Sequence, residues 1–150
     1  MPARSDRKPR AAALALGLML AAAPALAQES AATVEMPLDQ PTTIDGIEAA
    51  CTGIGQTRED PAWKSYGVRI EFSNAKNEYL GAGAIRLKDR AGKVLLDASC
   101  DAPWILLRLP PGAYSVEGWL PGASLPARSA PISPPKEGQT RFVLQFPDAP

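Results

Sequence analysis

Few residues in this sequence are able to do chemistry, because it contains no histidine and only two cysteines. The missing histidine excludes Ser-His-Asp and Cys-His catalysis, the usual zinc ligand sets and a general base that titrates near neutral pH. The acidic residues fall singly along alternating segments and form no pair with a distinctive spacing, which is typical of solvated strand faces. We therefore expect no catalytic residue, no metal site and no cofactor.

The two cysteines, Cys51 and Cys100, are predicted to form a disulfide. An even cysteine count favours pairing in an exported protein, and the leader described below predicts export. Closing a loop of about 50 residues would stabilise the fold by roughly 4 kcal/mol if the bridge acts by restricting the unfolded chain. Two buried, unpaired thiols are the alternative. A reactive thiol at Cys51 is disfavoured because no histidine can lower its pKa, although Arg58 is close in sequence.

The stretch "ACTGIGQTRED", residues 50–60, contains two glycines that invite comparison with phosphate-binding loops. A dinucleotide loop needs a third glycine where this chain has Arg58, and a phosphate loop needs a Lys-Ser/Thr pair that is missing. We instead predict a strand that ends at Gly53 or Gly55, where the absent side chains permit a bend or close packing. Asp60 before Pro61 predicts a short helical turn with an aspartate cap.

The first 27 residues have the pattern of a secretory signal peptide. Four basic residues precede an apolar run at residues 11–23, and Ala25-Leu26-Ala27 is a small-x-small cleavage site. We expect cleavage after Ala27, a periplasmic location and no membrane span in the mature chain. The leader carries four basic residues and one acid, so the mature chain has 12 basic and 15 acidic residues and a net charge of −3. This charge argues against a nucleic-acid partner.

The pattern of the remaining residues predicts short strands separated by turns. Residues 66–72 alternate apolar and polar side chains, and Asp89 to Gly92 is predicted to be a hairpin loop. Residues 125–132 contain two prolines, which predicts an edge strand at best. The sequence thus predicts an all-β protein, an antiparallel β-sandwich of seven or eight strands. We expect a flexible arm at residues 28–43 and one sandwich domain at residues 44–147.

Five segments, in this order, resemble a known family of small exported proteobacterial proteins. The segments are Gly53-Ile54-Gly55, "YGVRIEFSN" at 66–74, Tyr79-Leu80-Gly81-Ala82, Pro103-Trp104-Ile105-Leu106 and "LPPGAYSV" at 109–116. The chain resembles the carboxypeptidase regulatory-like proteins of the transthyretin-like (prealbumin-like) type over residues 45–146. That resemblance implies a seven-stranded sandwich accessory module with no established activity.

Two features of the chain depart from what the resemblance would suggest. Ala102 stands where relatives more often have glycine before Pro-Trp. The enzymatic branch, the hydroxyisourate hydrolases, depends on histidines and a C-terminal Tyr-Arg-Gly-Ser, whereas this chain has no histidine and ends Phe146-Pro147-Asp148-Ala149-Pro150. The resemblance therefore carries no functional residue onto this sequence.

The leading hypothesis is a non-catalytic periplasmic module that binds a protein, a peptide or an envelope polymer. Its candidate binding residues are Gly53, Gly55, Arg58 and Trp104, because the predicted disulfide would bring their segments together. One alternative is a structural envelope component that associates with itself. The other is a carboxylate-based enzyme that processes glycans, which would need two acids about 5 to 9.5 Å apart in a cleft.

Overall fold

The computed structural model describes residues 32–150. The predicted signal peptide, residues 1–27, and the start of the predicted arm, residues 28–31, lie outside the described residues. Within them the chain forms ten strands and two 3₁₀ helices. The strands are β1 (Val34–Glu35), β2 (Pro41–Ile44), β3 (Ile47–Thr52), β4 (Val68–Asn74), β5 (Gly83–Asp89), β6 (Val94–Cys100), β7 (Trp104–Arg108), β8 (Tyr114–Trp119), β9 (Arg128–Ile132) and β10 (Thr140–Phe146). The 3₁₀ helices are Gly55–Glu59 and Pro61–Ser65.

The strands form two sheets of five. The first sheet has the order β1-β6-β5-β8-β9 and the second has the order β10-β4-β7-β3-β2. The all-β prediction is confirmed, and β9 lies at an edge as its prolines predicted. The predicted count of seven or eight strands is wrong, and so is a purely antiparallel arrangement, because β1 pairs with β6 and β10 pairs with β4 in parallel.

Both differences have a physical reason. β1 and β2 contain two and four residues, too few to show a period of two. β1 and the start of β2 lie in residues 28–43, which we predicted to be a flexible arm; they instead form one edge of each sheet. Side-chain alternation shows which face a residue takes, but it carries no information on whether the neighbouring strand runs parallel or antiparallel.

The core lies between the sheets and is filled from both of them. Val68, Ile70 and Phe72 of β4 are fully buried, and Ile85 and Leu87 of β5 belong to the same buried cluster. Burying each such side chain contributes about 1.5–3 kcal/mol. Because every second residue of β4 points into this cluster, Arg69 and Glu71 between them must lie on the outward face of the second sheet.

Two glycines make room for large core side chains: Gly83 for the Phe72 ring and Gly118 for Leu144. A Cβ atom at Gly83 of β5 would lie 2.3–2.4 Å from the Phe72 ring, and a Cβ at Gly118 of β8 would lie 2.3 Å from a methyl carbon of Leu144. The ring also stacks on Phe146 of β10, with 6.3 Å between centroids. Glycine on the first sheet therefore sets how closely the second sheet approaches it.

Cys51 and Cys100 form the predicted disulfide, which joins the two sheets. Cys51 lies in β3 of the second sheet, Cys100 ends β6 of the first, and their Cα atoms are 5.4 Å apart. Both residues are buried in the core. The bridge therefore holds the residues that follow β3 close to the loop between β6 and β7.

Candidate functional site

The outward face of the second sheet collects charged and aromatic side chains from three neighbouring strands. The pairing of β4 with β7 sets Arg69 opposite Leu106 and Glu71 opposite Trp104. The pairing of β10 with β4 sets Arg141 opposite Arg69. The register therefore places two arginines, a carboxylate and a tryptophan on one patch of surface, although they are distant in sequence.

The two 3₁₀ helices cover part of this face. The second begins at Pro61, and the Asp60 side chain accepts a hydrogen bond of 2.8 Å from the Ala62 N–H, as the Asp-Pro pair predicted. Trp63 of this helix packs with Tyr66, Ala50 and Leu106 in a small buried cluster. Because this cluster is separate from the main core, it serves to hold the helical segment on the sheet.

Side-chain hydrogen bonds fix the position of that segment. The Trp63 indole N–H donates to the carbonyl oxygen of Thr57 at 2.8 Å. The Gln139 amide nitrogen donates to the carbonyl oxygens of Trp63 and Tyr66 at 2.8 and 2.9 Å. The segment is thus tied to itself and to the residue that precedes β10, which gives the surface beside it a defined shape.

A depression of about 130 Å³ lies between this helical segment and the exposed part of the sheet. Three cationic side chains line it, from Arg58, Lys64 and Arg69, and so do the carboxylates of Glu59 and Asp60. Glu59 pairs with Arg58 at 3.1 Å, and Asp60 is engaged by the Ala62 N–H. The lining of the depression therefore contains three cations and two carboxylates and has a net charge of +1.

Trp104, which also lines the depression, is packed on several sides and is only 8% exposed. The Arg69 guanidinium carbon lies 4.5 Å from the centroid of the indole ring, and the Tyr79 ring meets the indole edge-on at 5.8 Å. A Cβ atom at Gly53 would lie 2.8 Å from the indole Cγ. The indole Nε1 is buried and has no hydrogen-bond partner within residues 32–150.

Glu71 is a fully buried carboxylate held between two arginines. The Arg141 Nε donates to Glu71 Oε2, and this hydrogen bond raises the pKa of Arg141. The Arg69 Nε lies 2.9 Å from Glu71 Oε1 as an ion pair, but the two atoms are not aligned for a hydrogen bond. Arg69 Nε and Glu71 Oε1 are therefore buried polar atoms without a hydrogen-bond partner in the described part of the chain.

These two atoms and Trp104 Nε1 form a cluster of unsatisfied polar groups beside the depression. Leaving one buried polar group unpaired costs about 1–3 kcal/mol, and buried polar atoms in native proteins almost always have a partner. Three such atoms on adjacent residues of paired strands are difficult to explain by stability alone. An acceptor placed in the depression would serve the N–H donors of Arg69 and Trp104, while Glu71 Oε1 would keep its ion pair with Arg69.

A second polar cluster lies further along the same face and is satisfied. The Tyr66 hydroxyl donates to Glu48 Oε1 at 2.9 Å, and the Arg108 guanidinium donates to the same oxygen at 3.2 Å. Burial raises the pKa of Tyr66, and the hydrogen bond to Glu48 raises it further. The Arg108 guanidinium carbon also lies 4.9 Å from the centre of the Tyr66 ring. These contacts fasten the start of β4 to β3 and β7.

The four residues predicted from sequence have different places in this site. Arg58 and Trp104 both line the depression, and Gly53 packs against the Trp104 ring. Gly55 begins the first 3₁₀ helix with φ +63°, and a Cβ atom there would meet nothing within 4 Å. The structure thus brings three of the four together, whereas Gly55 acts on the backbone conformation alone.

Sequence reasoning missed Arg69, Glu71 and Lys64. The alternation of residues 66–72 placed Arg69 and Glu71 on the wet face of a strand, but their meeting with Trp104 depends on which strand pairs with β4. Lys64 belongs to a short helical turn whose docking position is set by Trp63. No signal within either segment indicates these contacts.

Comparison with protein-family profiles gives no match for this chain, and comparison with curated proteins gives no significant match. Within residues 32–150, no group of three or more cysteine, aspartate or glutamate side chains is placed to hold a metal ion. In the same part of the chain, no helix has the length and apolar character needed to cross a membrane.

Proposed function

We propose that this chain is an exported, non-catalytic binding module of the periplasm, and that it holds a protein, peptide or envelope polymer at the depression beside Trp104. The observation that carries the proposal is the cluster of three buried polar atoms, on Arg69, Glu71 and Trp104, that have no hydrogen-bond partner in the part of the chain that the structure describes. A partner that supplies donors or acceptors there would provide the hydrogen bonds that are missing among these residues.

Export is proposed from the leader and is compatible with the disulfide. Residues 1–27 would direct secretion, with cleavage after Ala27. A disulfide persists in an oxidising compartment such as the bacterial periplasm and is rare in the cytosol, and Cys51 and Cys100 form one. Intact-mass measurement of the protein from a periplasmic fraction tests this step: the expected chain begins at Gln28 and carries no free thiol. A mass that retains the leader would contradict it.

The carboxypeptidase regulatory-like, prealbumin-like assignment is likewise a proposal. It is supported by the ordered motifs between Gly53 and Val116 and by the all-β fold, whereas the ten strands in two mixed sheets depart from the seven strands that the resemblance implies.

The carboxylates in and beside the depression favour a binding role over catalysis, because each already has an ion-pair or hydrogen-bond partner. Glu59 is paired with Arg58, Asp60 caps the second 3₁₀ helix, and Glu71 is enclosed by two arginines. A glycan-processing enzyme needs one carboxyl group to donate a proton and another to attack or to activate water. Each of these three carboxylates is already committed to a cation or an N–H group.

Site-specific photo-crosslinking in the periplasm tests the binding role. A photoreactive residue at Lys64, which is exposed at the rim of the depression, is expected to capture a partner, whereas the same residue at Arg90 in the β5–β6 hairpin should not. Capture from Lys64 should fall when Arg58→Ala or Trp104→Ala is introduced. Equal capture from both positions, or capture that neither substitution reduces, would reject the proposal. Crosslinks only between copies of this chain would favour the self-associating alternative.

A further inference from the structure

We infer that the group completing the depression is the free C-terminal carboxylate of a peptide, with the Arg69 guanidinium and the Trp104 indole N–H as its donors. The inference rests on the proposed binding function and names the ligand class for the same site. It follows from the unused donors, the local charge, the size of the depression and the packing of its aromatic rings.

Arg69 is the strongest unused donor at the depression. Within residues 32–150 its side chain forms an ion pair with Glu71 and lies over Trp104, but it makes no hydrogen bond of correct geometry. A guanidinium presents N–H groups in a planar arrangement that matches the two oxygens of a carboxylate. Stacking on the indole limits the motion of the guanidinium, so little conformational entropy is lost when an anion binds.

The indole N–H of Trp104 adds a neutral donor at the same place. It is buried, it has no hydrogen-bond partner among residues 32–150, and it belongs to a side chain that lines the depression. An indole nitrogen can only donate, so the group it lacks is an acceptor. A carboxylate oxygen would satisfy it and would also receive hydrogen bonds from Arg69.

The charge of the depression favours an anion. Arg69 and Lys64 line it, and among the described residues Lys64 has no ion-pair partner. The buried Glu71 is opposed by both Arg69 and Arg141, so this group of three side chains retains one positive charge. Arg58 and Glu59 cancel each other, and Asp60, which also lines the depression, offsets one of the two remaining positive charges, so the site keeps a net charge of +1. An arriving carboxylate would thus meet a positively charged site and would displace no hydrogen bond that Arg69 makes within residues 32–150.

The size of the depression favours the terminal residue of a peptide ligand over an internal segment of one. Its volume is about 130 Å³, whereas pockets that enclose a whole drug-sized ligand measure about 300–1,000 Å³. A single terminal residue with its carboxylate suits the smaller space, and the preceding residues of the peptide would lie on the open surface of the sheet.

The aromatic residues favour a peptide over an acidic sugar. A sugar ring is usually held against the open face of an aromatic side chain, but Trp63 and Trp104 are each only 8% exposed. Arg69 already lies over the Trp104 ring. Neither tryptophan therefore offers the platform that a uronic acid would need, whereas a terminal carboxylate needs only the polar donors.

The test uses the mature protein with its disulfide intact and a pool of N-acetylated tripeptides with free C-terminal carboxylates. Peptides retained by the protein are identified by mass spectrometry, and the best one is titrated by calorimetry beside its C-terminal amide. We expect the amide to bind at least about tenfold more weakly, because a charge-assisted bidentate hydrogen bond is replaced by a neutral contact.

Three substitutions locate the contact. Trp104→Phe keeps an aromatic ring and deletes the N–H, and Arg69→Lys keeps the charge and deletes the planar guanidinium; each is expected to weaken binding of the acid about three- to tenfold or more. Arg90→Gln, a charge change in the exposed β5–β6 hairpin, is the matched control and should leave the affinity unchanged. Thermal unfolding of each variant verifies that it is folded.

The outcomes separate this inference from the function on which it rests. Equal affinity for acid and amide, or equal affinity in Trp104→Phe, Arg69→Lys and the parent protein, overturns the carboxylate assignment. If glucuronate oligosaccharides bind and no tripeptide does, the peptide assignment is wrong while a binding function stands. If no probe binds but crosslinking from Lys64 still depends on Trp104, the inference fails and the proposed function survives. If no probe binds and crosslinking from Lys64 does not depend on Trp104, both the carboxylate assignment and the proposed binding function are rejected.

Discussion

Reducing the Cys51–Cys100 disulfide is expected to lower the free energy of unfolding by about 4 kcal/mol. The two cysteines are separated by 49 positions, so the bond closes a loop of about 50 residues in the unfolded chain, and the entropy of that closure gives this figure at 25 °C. The bond also joins strands of different sheets. A total stability of about 5–15 kcal/mol is usual for a domain, so reduction should remove a large share of it.

Urea denaturation followed by circular dichroism measures the effect on three samples: the oxidised protein, the reduced protein and the Cys51→Ala/Cys100→Ala double variant. The reduced protein keeps both buried sulfur atoms, whereas the variant also loses their packing at positions that are 0% and 1% exposed. The variant should therefore be less stable than the reduced protein by about 1 kcal/mol for each sulfur removed.

The dependence on urea offers a second check. Without the bridge the unfolded chain is more expanded, so the slope of the unfolding free energy against urea concentration should become steeper. A loss of less than about 1 kcal/mol on reduction, with an unchanged slope, would refute the reasoning that the bridge acts by restricting the unfolded chain. It would mean that sheet packing alone holds β3 and β6 together.

Three further substitutions probe the packing and the charges. Gly83→Ala should cost roughly 1–3 kcal/mol in urea denaturation, because the new methyl group would overlap the Phe72 ring. Tyr66→Phe should reduce the loss of stability at alkaline pH: burial and Glu48 raise the pKa of Tyr66, so its stabilising effect is complete below pH of about 10 and falls as pH rises through the folded-state pKa. Glu71→Gln should cost about 1–3 kcal/mol, because the buried ion pairs with two arginines are broken.

Matched controls decide the first two outcomes, and the size of the stability change decides the third. Gly81→Ala adds a methyl group where nothing lies within 4 Å, so its effect should stay within about 0.5 kcal/mol; an equal loss at both glycines would contradict the overlap. Tyr114→Phe removes a hydroxyl that donates to the Pro110 carbonyl, and the alkaline loss should persist there. For Glu71→Gln, unchanged stability would show that the arginines are sufficiently solvated without their counter-charge.

Local patterns in the sequence predicted several parts of the fold correctly. The alternation of residues 66–72 identified β4 and its outward residues, and Asp89 to Gly92 forms the expected hairpin, in which Asp89 accepts from the Ala91 and Lys93 N–H groups at 2.9 Å. These features depend on side chains a few residues apart, so the sequence itself contains the information. β5 begins at Gly83, and the loop before it makes a single bridge to β4, from Ser73 to Tyr79.

The candidate site was only partly predictable for the same reason. Gly53, Arg58 and Trp104 were chosen because a disulfide between Cys51 and Cys100 would gather their segments, and the disulfide is present. Arg69 was not chosen, since nothing between residues 66 and 74 indicates that β4 pairs with β7. The unsatisfied atoms beside Trp104 exist only in the folded arrangement.

Periodicity, turn residues and cysteine parity are local or countable properties, and they were enough to predict an all-β chain, the buried faces of its clearest strands and the Cys51–Cys100 disulfide. Three features appear only in the folded chain: β10 runs parallel to β4, residues 34–35 and 41–44 form sheet edges, and Arg69 lies over Trp104 beside a depression. These features arise from the pairing of strands that are distant in sequence. The packing of the whole core selects that pairing, so no single stretch of sequence is enough to predict it.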